Sequence, residues 1–148
     1  MYVKIPVTGT CPNSSAPLVR KLAAAGVKLS VTALMTPAQV ETVSAALADG
    51  PSSYVSLFAG RIADRGRDPV PILREALAVL VAHPQQELIW ASPRELLNVV
   101  QADAGVHVIT VTNDLLCKLS LLGKDLDEFS LDTVQMFYDD ARSCGFEL

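Results

Sequence analysis

The sequence predicts an α/β protein with a parallel sheet, on three observations. Short runs rich in Val, Ile and Leu recur along the chain, separated by stretches of helical periodicity. The helical stretches open on a capping residue followed by proline, at Thr36-Pro37, Asp68-Pro69 and Ser92-Pro93. Glycine closes them, at Gly26, Gly50 and Gly105. The order strand, cap, helix, glycine needs crossover connections, which are right-handed and join parallel strands. The strand runs are apolar over nearly their whole length, the pattern of strands covered on both faces. This alternation fits an open doubly wound sheet and part of a (β/α)8 barrel equally well.

The first strand, Tyr2 to Thr8, holds one lysine, Lys4, among Val3, Ile5 and Val7. An ammonium in an apolar wall loses hydration, so burial would push its pKa below the ordinary value of about 10.4 and make it a candidate Schiff-base nucleophile. The same lysine also reads as an edge-strand residue that discourages pairing, or as one that snorkels to water. Gly9 to Ser15 is a loop, and Ser14 or Ser15 caps a helix with Leu18, Val19, Leu22 and Ala25 on one face, ended at Gly26. Val27 to Ala33 is the second strand, with Ser30 and Thr32 sharing a face. A capping box at Thr36 to Gln39 then opens a helix through Val40, Val43 and Leu47.

In the third strand, Ser53 to Phe58, alternation puts Tyr54, Ser56 and Phe58 on one face. Gly60 to Pro69 is the most polar segment and reads as a loop, with Asp68 capping a helix to about His83. Glu87 to Ala91 is the fourth strand, and Ser92-Pro93-Arg94-Glu95 reads as a second capping box, opening a helix that ends near Ala104-Gly105. Val106 to Val111 is the fifth strand, followed by a short helix from Asp114 to Leu119. Residues 124–148 form a charged connector and a helix capped by Ser130 that runs through Cys144, with Val134, Phe137, Tyr138 and Ala141 along one side. That helix either seals the sheet or docks on another subunit.

At 148 residues and 50% apolar content the chain has a single-domain length and ample material for a core. A net charge of −4 and a pI near 5.0 argue against a general nucleic-acid or anionic-membrane binder. No apolar stretch approaches the roughly 20 residues that cross a bilayer. Cys11, Cys117 and Cys144 are an odd number without metal-ligand spacing, which suits a reducing cytoplasm. His83 and His107 form no ligand pair, and with Trp90 they read as packing residues. Arg61, Arg65 and Arg67 stand close to Asp64 and Asp68 and read as a solvated, ion-paired loop unless they hold an anion.

Four stretches add a resemblance. Lys4-Ile5-Pro6-Val7-Thr8 is similar to a Schiff-base strand, and Val31-Thr32-Ala33 with Pro37-Ala38-Gln39 to the next strand-to-helix junction. Tyr54 to Ile62 is similar to a Ser-Pro-Phe-Val-Gly-Arg-Ile strand, and Trp90-Ala91-Ser92 to an Ala-Ala-Ser strand. In this order, and reaching to about Leu119, they resemble the transaldolase family, which includes the fructose-6-phosphate aldolases. The departures are Leu57 for a proline, a longer loop after Lys4 and a shortened junction after Ser92.

The resemblance implies a partial (β/α)8 barrel of the aldolase type, about five β/α units corresponding to the family's strands 4 to 8, plus a C-terminal helix. It implies a Schiff base on Lys4, with Thr32 and Ser56 ordering water or contacting substrate hydroxyls. Phe58 stands where the aldolases carry Tyr and transaldolases Phe, and a phenyl ring has no proton to offer, which favours group transfer over free cleavage. Phosphate binding would fall to Arg61, to Ser92 and to Arg94, which lies near a second arginine of the family; Arg65 and Arg67 remain unassigned. The implied activity is transfer of a dihydroxyacetone unit between sugar phosphates in pentose phosphate metabolism, in a cytoplasmic homo-oligomer without metal or cofactor. The alternatives are aldolase cleavage of a small ketose, and a non-catalytic remnant that serves as an assembly or sugar-phosphate-binding module. A complete barrel takes about 250 residues, rarely fewer than about 200. The expectation is therefore a single domain, 1–148, incomplete at its N-terminus, that self-associates and turns over poorly alone.

Overall fold

The computed structural model describes residues 1–103 and 105–145. Its elements run β1 (Val3–Pro6), α1 (Ala16–Ala24), β2 (Leu29–Leu34), α2 (Pro37–Leu47), β3 (Ser53–Leu57) and α3 (Ala59–Ala63). Then follow α4 (Pro69–Leu80), β4 (Gln86–Trp90), α5 (Leu97–Ala102), β5 (Val108–Ile109), α6 (Asn113–Lys118), a 3-10 turn (Leu119–Leu121) and α7 (Leu126–Ser143). All strand pairs are parallel, and the order in the sheet is β1-β2-β3-β4-β5. A doubly wound sheet reverses its order at a switch point. Here the order is sequential, and α1, α2 and α4 pack side by side, so the winding runs one way, as in the wall of a barrel.

Register decides the two faces. Ile5, Val31, Val55 and Leu88 are cross-strand partners, and none is more than 9% exposed. They lie on the helix side with Leu29, Leu34, Leu57 and Trp90, in one core with Val40, Val43, Leu47, Leu73 and Ala76. The next row, Lys4, Ser30, Tyr54 and Glu87, is exposed or half-buried. The expectation of strands covered on both faces is therefore not met among the described residues. The polar members of the runs fall at alternate positions, so they gather on the face that the helices leave open.

Several local expectations change. In α1 the buried positions are Ala16, Val19 and Ala23, while Leu18 is 50% exposed and Ala25 is exposed. The alanines let neighbours come close: a Cβ on Gly50 would stand 2.7 Å from that of Ala23. Ser15 occupies the N-cap without a side-chain bond; Ser14 Oγ accepts from the Ala16 N–H instead, at 3.2 Å. Part of the expected polar loop is the short helix α3. The last helix begins at Leu126, before Ser130, because Asp125 accepts from the Asp127 and Glu128 N–H groups and draws the connector into its first turn. The capping box at Thr36 and Gln39 and the Asp68 cap on Val70 form as the sequence reads. Ala104, expected near the end of α5, lies outside the described residues.

Candidate active site

Thr32 and Ser56 meet on the open face near the C-terminal ends of β2 and β3. The register shifts between Val31 and Leu34, and Ala33 within the shift has φ +65°. An irregularity of this kind re-aims a side chain, and a non-glycine residue at positive φ is strained. Thr32 Oγ1 donates to Ser56 Oγ at 3.3 Å, with both residues buried. The Thr32 carbonyl accepts from the Val7 N–H at 2.8 Å, which ties the end of β1 to the same point. Lys4 lies on this face one row nearer the strand N-termini, opposite Ser30.

Lys4 is exposed, which corrects the expectation of an amine buried in an apolar wall. Its flanking apolar residues behave differently: Ile5 and Val7 turn to the core, whereas Val3 is 41% exposed. In the same row Tyr54 stands opposite Glu87, and its ring centroid is 4.6 Å from that of Tyr2. The Glu87 carboxylate, then Tyr2, and then partial burial hold the Tyr54 hydroxyl above its ordinary pKa. Glu87 went unnoticed as a site neighbour in the sequence, although its cross-strand alignment with Tyr54 is a consequence of parity once the register is known.

At the rim the expected phosphate ligands separate. Phe58 directly follows β3 and is half-buried; Arg61 is exposed on α3. Arg61 lines a pocket of about 300 Å³ with Met35, Thr36, Arg65, Arg67 and Ile72. Ser92 and Arg94 lie at Gly60, on a different set of contacts: a Cβ there would fall 1.5 Å from the Ser92 carbonyl oxygen and 3.1 Å from Arg94 Nε. Gly60 thus admits the protein's own backbone, not a ligand.

Ser92 does not cap a helix. It has φ +61°, and α5 begins only at Leu97, without a side-chain cap. Asn98, buried and missed by the sequence reading, reaches back with Oδ1 to accept from the N–H groups of Arg94 at 2.8 Å and Glu95 at 3.2 Å. This bonds the shortened junction into a turn where the capping box was expected. Arg94 Nη2 donates to Asp64 Oδ2 at 2.6 Å, so its charge is engaged. Trp90 is fully buried, and His107 Nδ1 accepts from the Leu88 N–H at 3.1 Å.

A sheet wound in one direction, with helices on one face and a lysine with paired hydroxyls on the other, defines the class: the chain is part of the wall of a β/α-barrel protein. The family model described as Transaldolase/Fructose-6-phosphate aldolase matches residues 1–148, and the chain belongs to that family. It is 34% identical over 121 residues to a "Probable transaldolase" of Methanococcus maripaludis strain C7, covering 80% of this chain and 53% of the relative. It is 31% identical over 137 residues to "Probable transaldolase 2" of Listeria monocytogenes, covering 89% of this chain and 59% of the relative. A "Probable transaldolase" of Clostridium kluyveri is 32% identical over 137 residues, covering 89% and 60%. The chain thus spans little more than half the length of the curated relatives it matches.

Proposed function

We propose that this chain carries the Schiff-base face of a transaldolase-like site, one that moves a dihydroxyacetone unit between sugar phosphates without a metal or organic cofactor. The observation that supports it is the sharing of one open sheet face by Lys4, Thr32 and Ser56 in a member of this family. The Lys4 amine adds to the ketose carbonyl carbon, and loss of water leaves a protonated imine. Cleavage of the C3–C4 bond sends its electron pair into that imine, releases an aldehyde as the C4 hydroxyl gives its proton to water, and leaves a three-carbon enamine on the lysine. The enamine carbon then attacks an acceptor aldehyde, and water returns to free the new ketose. Thr32 and Ser56 hold that water or a substrate hydroxyl, and Phe58, lacking a hydroxyl, favours capture by an aldehyde over hydrolysis. Arg61 receives the phosphate as a planar, bidentate donor. We place this activity in the cytoplasm, in a homo-oligomer.

The test is reduction with borohydride in the presence of a ketose phosphate. The expected result is an irreversible mass increase on the peptide containing Lys4 and on no other. Labelling of Lys21, Lys28, Lys118 or Lys124, or equal labelling of Lys4→Arg, overturns the assignment.

A further inference from the structure

Two side-chain amides hold the junction between β4 and α5. Asn98 Oδ1 accepts from the Arg94 and Glu95 N–H groups at 2.8 and 3.2 Å, across a segment that belongs to no strand or helix. Gln101, on the next turn of α5, decides which way that amide faces: its Oε1 accepts from Asn98 Nδ2 at 3.1 Å. With the amide nitrogen engaged there, Oδ1 is left for the turn, and a reversed amide would set its donors against two N–H groups. Gln101 is itself seated beside the fully buried Trp90, in a narrow cleft that Leu73, Arg74 and Leu77 of α4 also line.

The same junction grips α3 at both ends. The Gly60 N–H donates to the Ala91 carbonyl at 3.4 Å, and the Ser92 carbonyl fills the space where a Gly60 Cβ would stand. At the other end Arg94 pairs with Asp64, the C-cap of α3. Arg61 lies between these two attachments. A helix of five residues has too few internal bonds to hold itself, so its placement is set from outside, by α4 and by this junction. The backbone from which the Arg61 side chain starts is therefore placed by contacts that depend on Asn98.

We propose that Asn98, oriented by Gln101, is a positioning residue for the phosphate end of the site: it fixes the junction that clamps α3 and so holds Arg61 in place for a phosphate group. The proposal rests on the reading of Arg61 as a phosphate ligand but not on imine chemistry at Lys4. Titration of the whole chain with orthophosphate, followed by NMR at the Arg61 Nε–H and assigned with Arg61→Lys, tests it. Gln101→Met frees the Asn98 amide to turn over and should weaken phosphate binding at least about fivefold. The fluorescence of Trp90, the single tryptophan, should remain that of a buried indole and show that the variant is folded. Asn98→Asp offers the turn an acceptor whichever way its carboxylate faces, so in that background Gln101→Met should weaken binding no further. Unchanged affinity in Gln101→Met, or the same loss in both backgrounds, overturns the proposal. A lower denaturation midpoint without weaker binding does so too, because the amide pair would then serve stability alone. If orthophosphate leaves the Arg61 resonance of the unaltered chain unmoved, the reading of Arg61 fails and the proposal falls with it.

Discussion

From Val3 to Ala91, each strand lays alternate residues into one core, and Leu29, Val31, Val55, Leu57, Leu88 and Trp90 are completely buried. From Asn113 to Ser143 apolar residues are only slightly less frequent, but Leu115 alone is buried, and α7 has no buried residue at all. Along the expected apolar side of α7, Val134 is 59% exposed and Phe137 62%. The contrast teaches that amphipathic spacing and a good cap specify a helix, whereas its stability comes from a surface to pack against. The sheet provides such a surface for α1, α2 and α4, and the described residues provide none for α7.

The largest expected effect tests that contrast directly. Leu88→Ala, at the centre of β4, should lower the unfolding free energy by about 2–5 kcal/mol. Leu126→Ala, at a position 81% exposed on α7, should stay within about 0.5 kcal/mol. Denaturant midpoints measure both, and equal losses would mean that α7 is packed in solution. Gly60→Ala comes next: its methyl would collide with the Ser92 carbonyl, so we expect a loss of about 1–3 kcal/mol in the same assay. A neutral result would place the β4–α5 junction away from α3.

Helix caps sharpen the comparison at a smaller scale. Removing the Asp68 side chain should cost about 1 kcal/mol of global stability, since α4 is part of the core. Asp125→Ala should reduce the helical circular dichroism signal while leaving the core's midpoint in place. A shared loss of midpoint would show that the two regions unfold as one unit.

The smallest effect is on pH dependence within the sheet face. Because Glu87 and Tyr2 raise the Tyr54 pKa, the folded state holds the phenol proton more tightly than the unfolded chain does. The associated stability is complete below the unfolded value, about 10, and is lost as pH rises past it through the folded value. Glu87→Gln should move the Tyr54 titration, followed by carbon NMR of the ring, back toward its ordinary position and reduce that alkaline loss. An unchanged titration would separate Tyr54 from Glu87.

Much of the fold was legible in the chain because its signals are local. Thr36 with Gln39, Asp68 with Pro69, and Gly26 act within one turn of backbone, and the strand runs announce themselves by composition. The Ser92 junction misled because a capping sequence also suits a turn, and the choice was made by Asn98 four residues beyond Arg94 and by the approach of Gly60. The first turn of α7 was masked by charge, since Lys124 to Glu128 resembles a connector until Asp125 turns its carboxylate onto the N–H groups ahead.

By itself the sequence determined the alternation of strands and helices, most of their caps, and the family to which Lys4, Thr32, Ser56 and Arg61 point. Only the tertiary structure decided that the sheet winds in one direction, that Lys4 is exposed on the open face, and that Arg61 lines a pocket with Arg65 and Arg67 while Arg94 pairs with Asp64. The reason is range. Caps and periodicity depend on neighbours a few residues away, whereas faces, partners and pockets depend on the register of strands and turns that lie tens of residues apart in the chain.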